Sequence, residues 1–130
     1  MMGLLLAMLA QSTPIADPPL FELPREYWGE YNEVLADCGT GNNDTRLRIS
    51  WNTVQFYESM GEVQEILRQQ DSSVVVVAKH SGEGQTWQSV YQLRLSGDGE
   101  TLTVSHPQTI EMDQFNSDRR RCPAKTNKLK

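Results

Sequence analysis

One short stretch of the sequence holds the residues whose types could do chemistry together. It supplies a cation, a titratable ring, a hydroxyl, a carboxylate and an indole: Lys79, His80, Ser81, Glu83 and Trp87. Nucleophilic catalysis requires a hydroxyl that contacts its base. Neighbouring residues of a strand point to opposite faces, so Ser81 is not expected to reach His80. We interpret the five residues as a binding site at a loop end of the fold and predict no catalytic residue. The alternative places Trp87 in the core and His80 on the surface without a role.

Other patterns of reactive side chains point to no enzyme and no cofactor. Glu58, Glu62 and Glu65 could supply carboxylate pairs for glycoside hydrolysis, but they also fit acids on a solvated strand face. The glycine-rich stretch 39–44 lacks the Lys-Ser/Thr of a phosphate-binding loop, and with Asp37 it lacks the spacing of a calcium loop. The two histidines stand apart from each other and from any paired cysteines, so we predict no metal site.

Length and charge restrict the class of protein. A chain of 130 residues with 38% hydrophobic residues suits one domain with a single core. The formal net charge of −5 opposes binding to nucleic acid and favours a cationic partner. Half of the basic residues lie near the C-terminus, where we interpret them as a solvated end: Arg119, Arg120, Arg121, Lys125, Lys128 and Lys130.

The N-terminal segment is typical of a secretory leader. Residues 1–10 form an apolar run that is too short to span a bilayer, and small and polar residues and then prolines follow. We predict a signal peptide at 1–16, an extended arm at 17–22, one domain at 23–123 and a basic tail at 124–130. The chain is then periplasmic or secreted, without stable membrane insertion. The alternative is an N-terminal helix buried on all sides.

The two cysteines of the chain are predicted to form a disulfide. An even number of cysteines in an exported protein indicates pairing, here between Cys38 and Cys122. Closing so long a loop stabilises a protein by roughly 4 to 5 kcal/mol through the entropy of the unfolded chain. Free thiols in a cytosolic protein or a metal-binding pair are the alternatives.

Alternating side chains predict β-strands along most of the domain. Residues 62–70 fit either a strand or a short helix, and we favour a strand. Residues 74–78 are apolar on both faces, which predicts the most buried strand. The last strand is predicted around 109–115. The residues expected to point inward are Leu47, Ile49, Trp51, Val54, Phe56, Trp87, Tyr91, Leu93, Leu95, Leu102 and Val104.

Two glycine-containing turns connect these strands into hairpins. The stretches 81–84 and 96–99 each provide glycines for positive φ between alternating runs. Seven or eight short strands joined in this way form a meander, which loses its exposed edges by closing on itself. We therefore predict an all-β fold, a small antiparallel up-and-down barrel closed by one disulfide, and a monomer.

An ordered set of motifs resembles a group of short exported proteins of proteobacteria. It runs from Leu23-Pro24 and Trp28-Gly29 through Cys38, Asp44-Thr45-Arg46-Leu47, Phe56-Tyr57-Glu58-Ser59, Ser81-Gly82-Glu83-Gly84 and Thr86-Trp87 to Arg121-Cys122. The resemblance implies a periplasmic setting and brings no catalytic residues. More distantly, Trp28-Gly29 is similar to the first strand of lipocalin-like barrels. Lys79 with 81–84 is similar to the loop of periplasmic C-type lysozyme inhibitors.

Two functions follow as expectations. The first is a non-enzymatic periplasmic binding or inhibitor protein that acts on a protein partner through loops at one end of the barrel. The alternative is a carrier that holds a small apolar ligand in a lipocalin-like interior pocket. A filled interior would argue against the carrier, and a cavity of several hundred Å³ would argue against the inhibitor.

Overall fold

The computed structural model describes residues 20–40, 43–106 and 115–124. These residues form a closed antiparallel barrel of eight strands in which each strand pairs with the next and the last pairs with the first. The predicted all-β up-and-down barrel is therefore confirmed. The strands are β1 (Gly29–Asn32), β2 (Leu47–Ile49), β3 (Thr53–Gln55), β4 (Met60–Arg68), β5 (Val74–Gly82), β6 (Gln85–Leu95), β7 (Thr101–His106) and β8 (Phe115–Arg121).

Several predicted segments lie outside the described residues. They are the signal peptide 1–16, the first half of the arm 17–22, the tail beyond Ala124 and nearly all of the strand expected at 109–115. The strand that closes the barrel begins at Phe115, so it lies further along the chain than predicted. Its side chains at Arg119 and Arg121 are built into the barrel, and for these two residues the solvated-end interpretation is wrong.

The alternating pattern places one face of each strand in the barrel interior. In β5, Val74, Val76 and Ala78 are buried, whereas Val75 and Val77 on the outer face are only partly covered. The apolar outer face that led us to predict the most buried strand is thus only partly covered, because a closed single sheet has one interior. The choice of a strand at 62–70 is confirmed by β4, whose pairing with β5 contains an irregularity after Val63.

Most predicted core residues are buried, and the exceptions lie where strands end. Trp51 is 52% exposed because β2 ends at Ile49 and the chain turns into β3. Phe56 lies beyond the end of β3, packs against the core and is partly buried. The buried hydrophobic residues include Leu47, Ile49, Val54, Val74, Val76, Tyr91, Leu93, Leu102 and Val104.

One end of the barrel is plugged by the segment 20–27, and we name it the closed end. Leu23 is buried, and its backbone amide donates a hydrogen bond of 2.7 Å to the carbonyl of Trp51 in the β2–β3 turn. The buried Tyr27 hydroxyl lies 3.2 Å from the carbonyl of Leu93, and the Tyr31 hydroxyl donates to the carbonyl of Tyr27 at 2.8 Å. These bonds hold the plug against three parts of the wall.

Arg121 ties the closed end together. Its guanidinium donates at 2.8 Å to the carbonyl of Trp28 and at 2.8 Å to the carbonyl of Gly99, and it also donates to the carbonyl of Glu26. The same group lies 4.9 Å from the centre of the Tyr31 ring. One side chain of β8 thus joins the plug, β1 and the β6–β7 turn.

The predicted disulfide between Cys38 and Cys122 is present. It holds the β1–β2 connection over the outer face of β1, where Glu30 is only 3% exposed. The Glu30 carboxylate accepts hydrogen bonds from the Gly39 amide at 3.2 Å and from the Asn32 side chain at 3.1 Å. The disulfide therefore fastens the β1–β2 connection to the end of the last strand and covers a buried acid.

Candidate functional site

The end of the barrel opposite the plug contains a cavity of about 560 Å³, which we name the mouth cavity. The β3–β4 turn, the β5–β6 hairpin, the end of β7 and the β1–β2 connection contribute to its wall. Inside the wall lie aromatic rings, imidazoles and a hydroxyl, and three carboxylates lie among the exposed residues of the rim. The inner residues include Phe56, Ser59, His80, Trp87, Tyr91 and His106. The rim residues include Asp44, Tyr57, Glu58 and Glu83.

His80 forms the centre of the cavity floor and is only 2% exposed. Its Nδ1 lies 2.9 Å from the Ser59 hydroxyl, and its Nε2 lies 3.0 Å from the Tyr91 hydroxyl. The ring stacks on Trp87, with centroids 5.8 Å apart and planes 20° apart, and packs against Phe56 at 5.5 Å. Both nitrogens and the ring of the imidazole are therefore engaged by neighbours from two elements, the β3–β4 turn and β6.

Gly61 makes room for this ring. It pairs directly with His80 across β4 and β5, and a Cβ at this position would lie 2.4 Å from Nε2. No real Cβ contact is that short, so the imidazole occupies the space that a side chain would fill. A glycine at this point of β4 therefore allows His80 to form the floor of the cavity.

Burial keeps the floor uncharged near neutral pH. It lowers the pKa of His80 below its usual 6.5, and burial together with the charge of Arg119 lowers the pKa of His106. Burial also raises the pKa of the Tyr91 hydroxyl well above its usual value. Neutral His80 therefore donates one hydrogen bond and accepts one, between two hydroxyl groups that can each do either.

The Ser59 to His80 contact has the distance of a nucleophile and its base, but its surroundings differ from those of the serine hydrolases. In the serine hydrolases a carboxylate contacts the second ring nitrogen and stabilises the imidazolium that forms. Here the Tyr91 hydroxyl occupies that nitrogen, and its raised pKa keeps it neutral. The arrangement offers polar groups to a ligand without a charge to support proton transfer.

The rim is acidic because two neighbouring turns carry glutamates. Glu58 lies in the β3–β4 turn and Glu83 in the β5–β6 turn, and both line the mouth cavity. A Cβ on Gly82 would lie 2.3 Å from the Glu58 carbonyl oxygen, so the two turns touch. Asp44 in the β1–β2 connection adds a third carboxylate.

The five residues of the predicted binding site are divided between two faces. His80, Glu83 and Trp87 line the mouth cavity. Lys79 and Ser81 are exposed on the other face of β5, where they line a separate groove on the barrel exterior. Successive side chains of β5 point to opposite faces of the sheet, so Lys79 and Ser81 lie on the outside while His80 faces the cavity.

Trp87 lies at the mouth and not in the core. Its side chain is 42% exposed, so the core alternative is wrong, and its inner neighbour is the imidazole of His80. The sequence contained a signal for this pair. The two-residue turn Glu83-Gly84 sets Gly82 opposite Gln85, and counting back along both strands sets His80 opposite Trp87.

Sequence reasoning missed Ser59, Tyr91 and His106 as residues of the site. Tyr91 was assigned only to the core, and it is indeed buried, but its hydroxyl reaches His80. Ser59 approaches His80 through the β4–β5 pairing, in which Met60 lies opposite Ser81. That register is interrupted after Val63, so alternation alone does not give it.

Comparison with models of protein families, with curated proteins and with solved structures finds no match for this chain. Within residues 20–40, 43–106 and 115–124, no helix is long and apolar enough to cross a membrane. The same ranges contain no group of three or more histidine, cysteine, aspartate or glutamate residues arranged to hold a metal ion. Function is therefore inferred from the geometry of the mouth cavity.

Proposed function

We propose that this protein is a non-enzymatic binding protein whose ligand sits in the mouth cavity. The observation that carries this proposal is a cavity of about 560 Å³ at the end of the barrel opposite the plug, above a cluster of buried hydrophobic residues. Ligand pockets of proteins have volumes of about 300 to 1,000 Å³, with apolar walls and a few polar groups that fix orientation. The rings of Phe56, Trp87 and Tyr91 supply such walls, and Ser59 and His80 supply polar atoms.

The filled middle of the barrel limits how deep a ligand can reach. Leu47, Ile49 and Leu93 are buried in one hydrophobic cluster between the plug and the floor formed by His80. This cluster argues against a deep interior pocket of the lipocalin kind. The ligand is thus held near the loops, as the binding hypothesis requires, and the barrel below acts as a rigid support.

A small-ligand carrier is the second candidate, and the volume of the mouth cavity favours it. The two functions use the same residues and differ in the occupant. A carrier encloses a free molecule, whereas an inhibitor receives a side chain that projects from a protein. Of the two, only the inhibitor needs the exposed rim residues to contact a partner surface.

We place this function outside the cytoplasm. The Cys38–Cys122 disulfide supports this setting, because such bonds persist in oxidising compartments and are rare in the cytosol. A periplasmic or secreted location also agrees with the leader-like sequence at 1–16.

The proposal is tested by the response of Trp87 to aromatic probes. Three molecules that share a ring and a two-carbon chain, namely 2-phenylethylamine, 2-phenylethanol and phenylacetate, are titrated into ¹⁵N-labelled disulfide-bonded protein. We expect at least one to shift the indole N–H signal of Trp87, because that side chain forms a cavity wall. The Trp87→Ala variant should bind the same probe at least fivefold more weakly. Because the variant lacks the indole signal, this comparison uses the backbone amide shifts of β5 and β6 in both proteins.

Trp51→Ala is the matched control. Trp51 is likewise a half-exposed tryptophan, but it lies at the closed end in the β2–β3 turn. Its replacement should leave probe affinity unchanged. If no probe shifts the Trp87 signal, or if both variants lose affinity equally, the mouth cavity is not a binding site.

A further inference from the structure

We propose that the mouth cavity binds a small organic cation, a primary or quaternary amine carried on an apolar body. This inference rests on the proposed function and adds the chemical class of the ligand. Its basis is the combination of an acidic rim, aromatic walls and an uncharged floor in one cavity.

The charges around the cavity have one sign. Asp44, Glu58 and Glu83 line it, and none of its described lining residues is lysine or arginine. The two histidines add no positive charge near neutral pH, because burial lowers the pKa of each. A cavity with walls of low dielectric and carboxylates at its rim attracts cations and repels anions.

One arginine lies behind this wall without facing the cavity. Arg119 is 9% exposed, and it donates at 2.7 Å to the carbonyl of Thr45 and at 2.8 Å to the Ser117 hydroxyl. Its charge acts on His106 and on Glu33. These bonds hold the guanidinium in the barrel wall, so it offers no site to an anion in the mouth cavity.

The aromatic walls suit the same ligand. A cation within about 6 Å of the centre of a tryptophan or tyrosine ring is attracted by the electrons of its face. Trp87 and Tyr57 are both substantially exposed at the mouth, and Phe56 lies further in. One face of Trp87 is stacked on His80, and the remaining indole surface is free for a ligand.

The size of the cavity favours a free molecule over a protein side chain. Its volume of about 560 Å³ lies within the range of sites that enclose most of a small ligand. A single lysine or arginine side chain would leave much of this space unfilled. The apolar body of the ligand would contact Phe56 and Trp87, while its charge stays near Glu58 and Glu83.

The test compares probes that share a phenyl ring and a two-carbon chain and differ in the charge of the terminal group. At pH 7 and low salt, 2-phenylethylamine should bind at least threefold more tightly than 2-phenylethanol and at least tenfold more tightly than phenylacetate. Dissociation constants are taken from the Trp87 indole shift, with the signal assigned by Trp87→Phe. Raising NaCl from 20 to 300 mM should weaken only the cation, because salt screens the rim carboxylates.

Neutralising the rim provides the decisive variant. The triple substitution Asp44→Asn, Glu58→Gln, Glu83→Gln should lower the affinity for 2-phenylethylamine about tenfold and leave that for 2-phenylethanol unchanged. The matched control is Glu22→Gln, Glu26→Gln, Glu100→Gln. It changes the net charge equally, but its residues are exposed at the closed end. The control should retain most of the affinity.

The outcomes separate this inference from the function on which it rests. If 2-phenylethanol or phenylacetate binds as tightly as the amine, the cavity is a binding site but not for cations. Equal losses in the two triple variants would attribute the preference to overall charge and also overturn the inference. If a capped Gly-Lys-Gly peptide binds more tightly than 2-phenylethylamine, the cation that binds belongs to a protein side chain, and the proposal of a free small molecule is overturned. If no probe shifts Trp87, the proposed function itself fails.

Discussion

At the scale of single residues, the mouth cavity depends on one imidazole that is buried without charge. His80 has both nitrogens within 3.0 Å of hydroxyl groups, and its ring stacks on Trp87 and packs against Phe56. A buried histidine held in this way keeps one orientation, because rotation would break two hydrogen bonds. The floor of the cavity is therefore preorganised before any ligand arrives.

The space that Gly61 leaves for this ring can be tested by filling it. A Cβ at position 61 would meet three atoms of the imidazole at 2.4, 2.8 and 2.9 Å, and contacts with Phe56 and Trp87 limit how far the ring can move away. Gly61→Ala should lower the free energy of unfolding by about 1 to 3 kcal/mol, measured by urea denaturation. Gly97→Ala is the control, because a Cβ there meets nothing within 4 Å. Equal stability of the two variants would contradict this account.

The lowered pKa values of the histidines predict a loss of stability on mild acidification. His80 and His106 have folded-state pKa values below 6.5, so the unfolded chain binds more protons as pH falls through 6.5. The free energy of unfolding should thus be highest above pH 7. It should decline as the pH falls from 6.5 towards the pKa values of the two histidines in the folded state. Urea denaturation between pH 7.5 and 5 measures the decline.

The variant His80→Gln tests whether His80 causes the pH dependence of the free energy of unfolding. His80→Gln cannot titrate, so its stability should fall less than that of the wild type over the same pH range. Asp71 and Asp98 also have lowered pKa values, but their contribution is lost only at more acidic pH, below the ordinary aspartate value. An unchanged pH dependence in His80→Gln would show that this ring is not the group responsible.

At the scale of elements, the β5–β6 hairpin presents most of the site, and its turn is strained at one residue. Glu83 and Gly84 have φ values of 52° and 79°, as a two-residue hairpin turn of type I′ requires. Glycine adopts this conformation freely, but glutamate does so at a cost. A glutamate at the first turn position, despite this cost, agrees with its proposed role at the rim.

Glu83→Asn should therefore have opposite effects on stability and binding. Asparagine tolerates positive φ better than glutamate, so the free energy of unfolding should rise by about 0.5 kcal/mol. The affinity for 2-phenylethylamine should fall two- to threefold, since one rim carboxylate is lost. Glu83→Gln removes the same charge without relieving the turn. It should weaken binding equally with no gain in thermal or urea stability.

The elements were more predictable than the contacts between them. Alternation predicted the strand at 62–70, and the glycines of 81–84 predicted the hairpin, because both signals are local. The exposure of Trp51 depends on where β2 ends. The partial burial of Val75 and Val77 depends on the closure of the sheet into a barrel. The Ser59 to His80 contact depends on register across an irregular strand pair.

At the scale of the whole molecule, closure of the barrel rests on few contacts between its first and last strands. β1 and β8 are paired at only two positions, Tyr31 with Arg121 and Asn32 with Arg120. The disulfide and the hydrogen bonds of Arg121 reinforce this short seam. Period-2 patterning and the two cysteines were enough to predict this closure, whereas nothing in the pattern indicated the roles of Arg119 and Arg121.

Removing the disulfide should weaken the whole fold. The cysteines are separated by 84 positions, so the unfolded chain of a Cys38→Ser, Cys122→Ser variant gains freedom worth about 4.5 kcal/mol. We expect a loss of that order in the free energy of unfolding, compared with oxidised wild type in urea. Thiol counting under denaturing conditions verifies that the wild type contains no free thiol. A loss below 1 kcal/mol would show that the β1–β8 pairing suffices by itself.

The plug at 20–27 and the exit of β8 at Arg121 place both ends of the described chain at the same pole of the barrel. A tether, resin or fused domain joined directly at the ends of the described chain, Leu20 or Ala124, would consequently hold the molecule by its closed end. In that orientation the aromatic cup faces outward into solution, so immobilised protein retains full access for ligands arriving from the bulk.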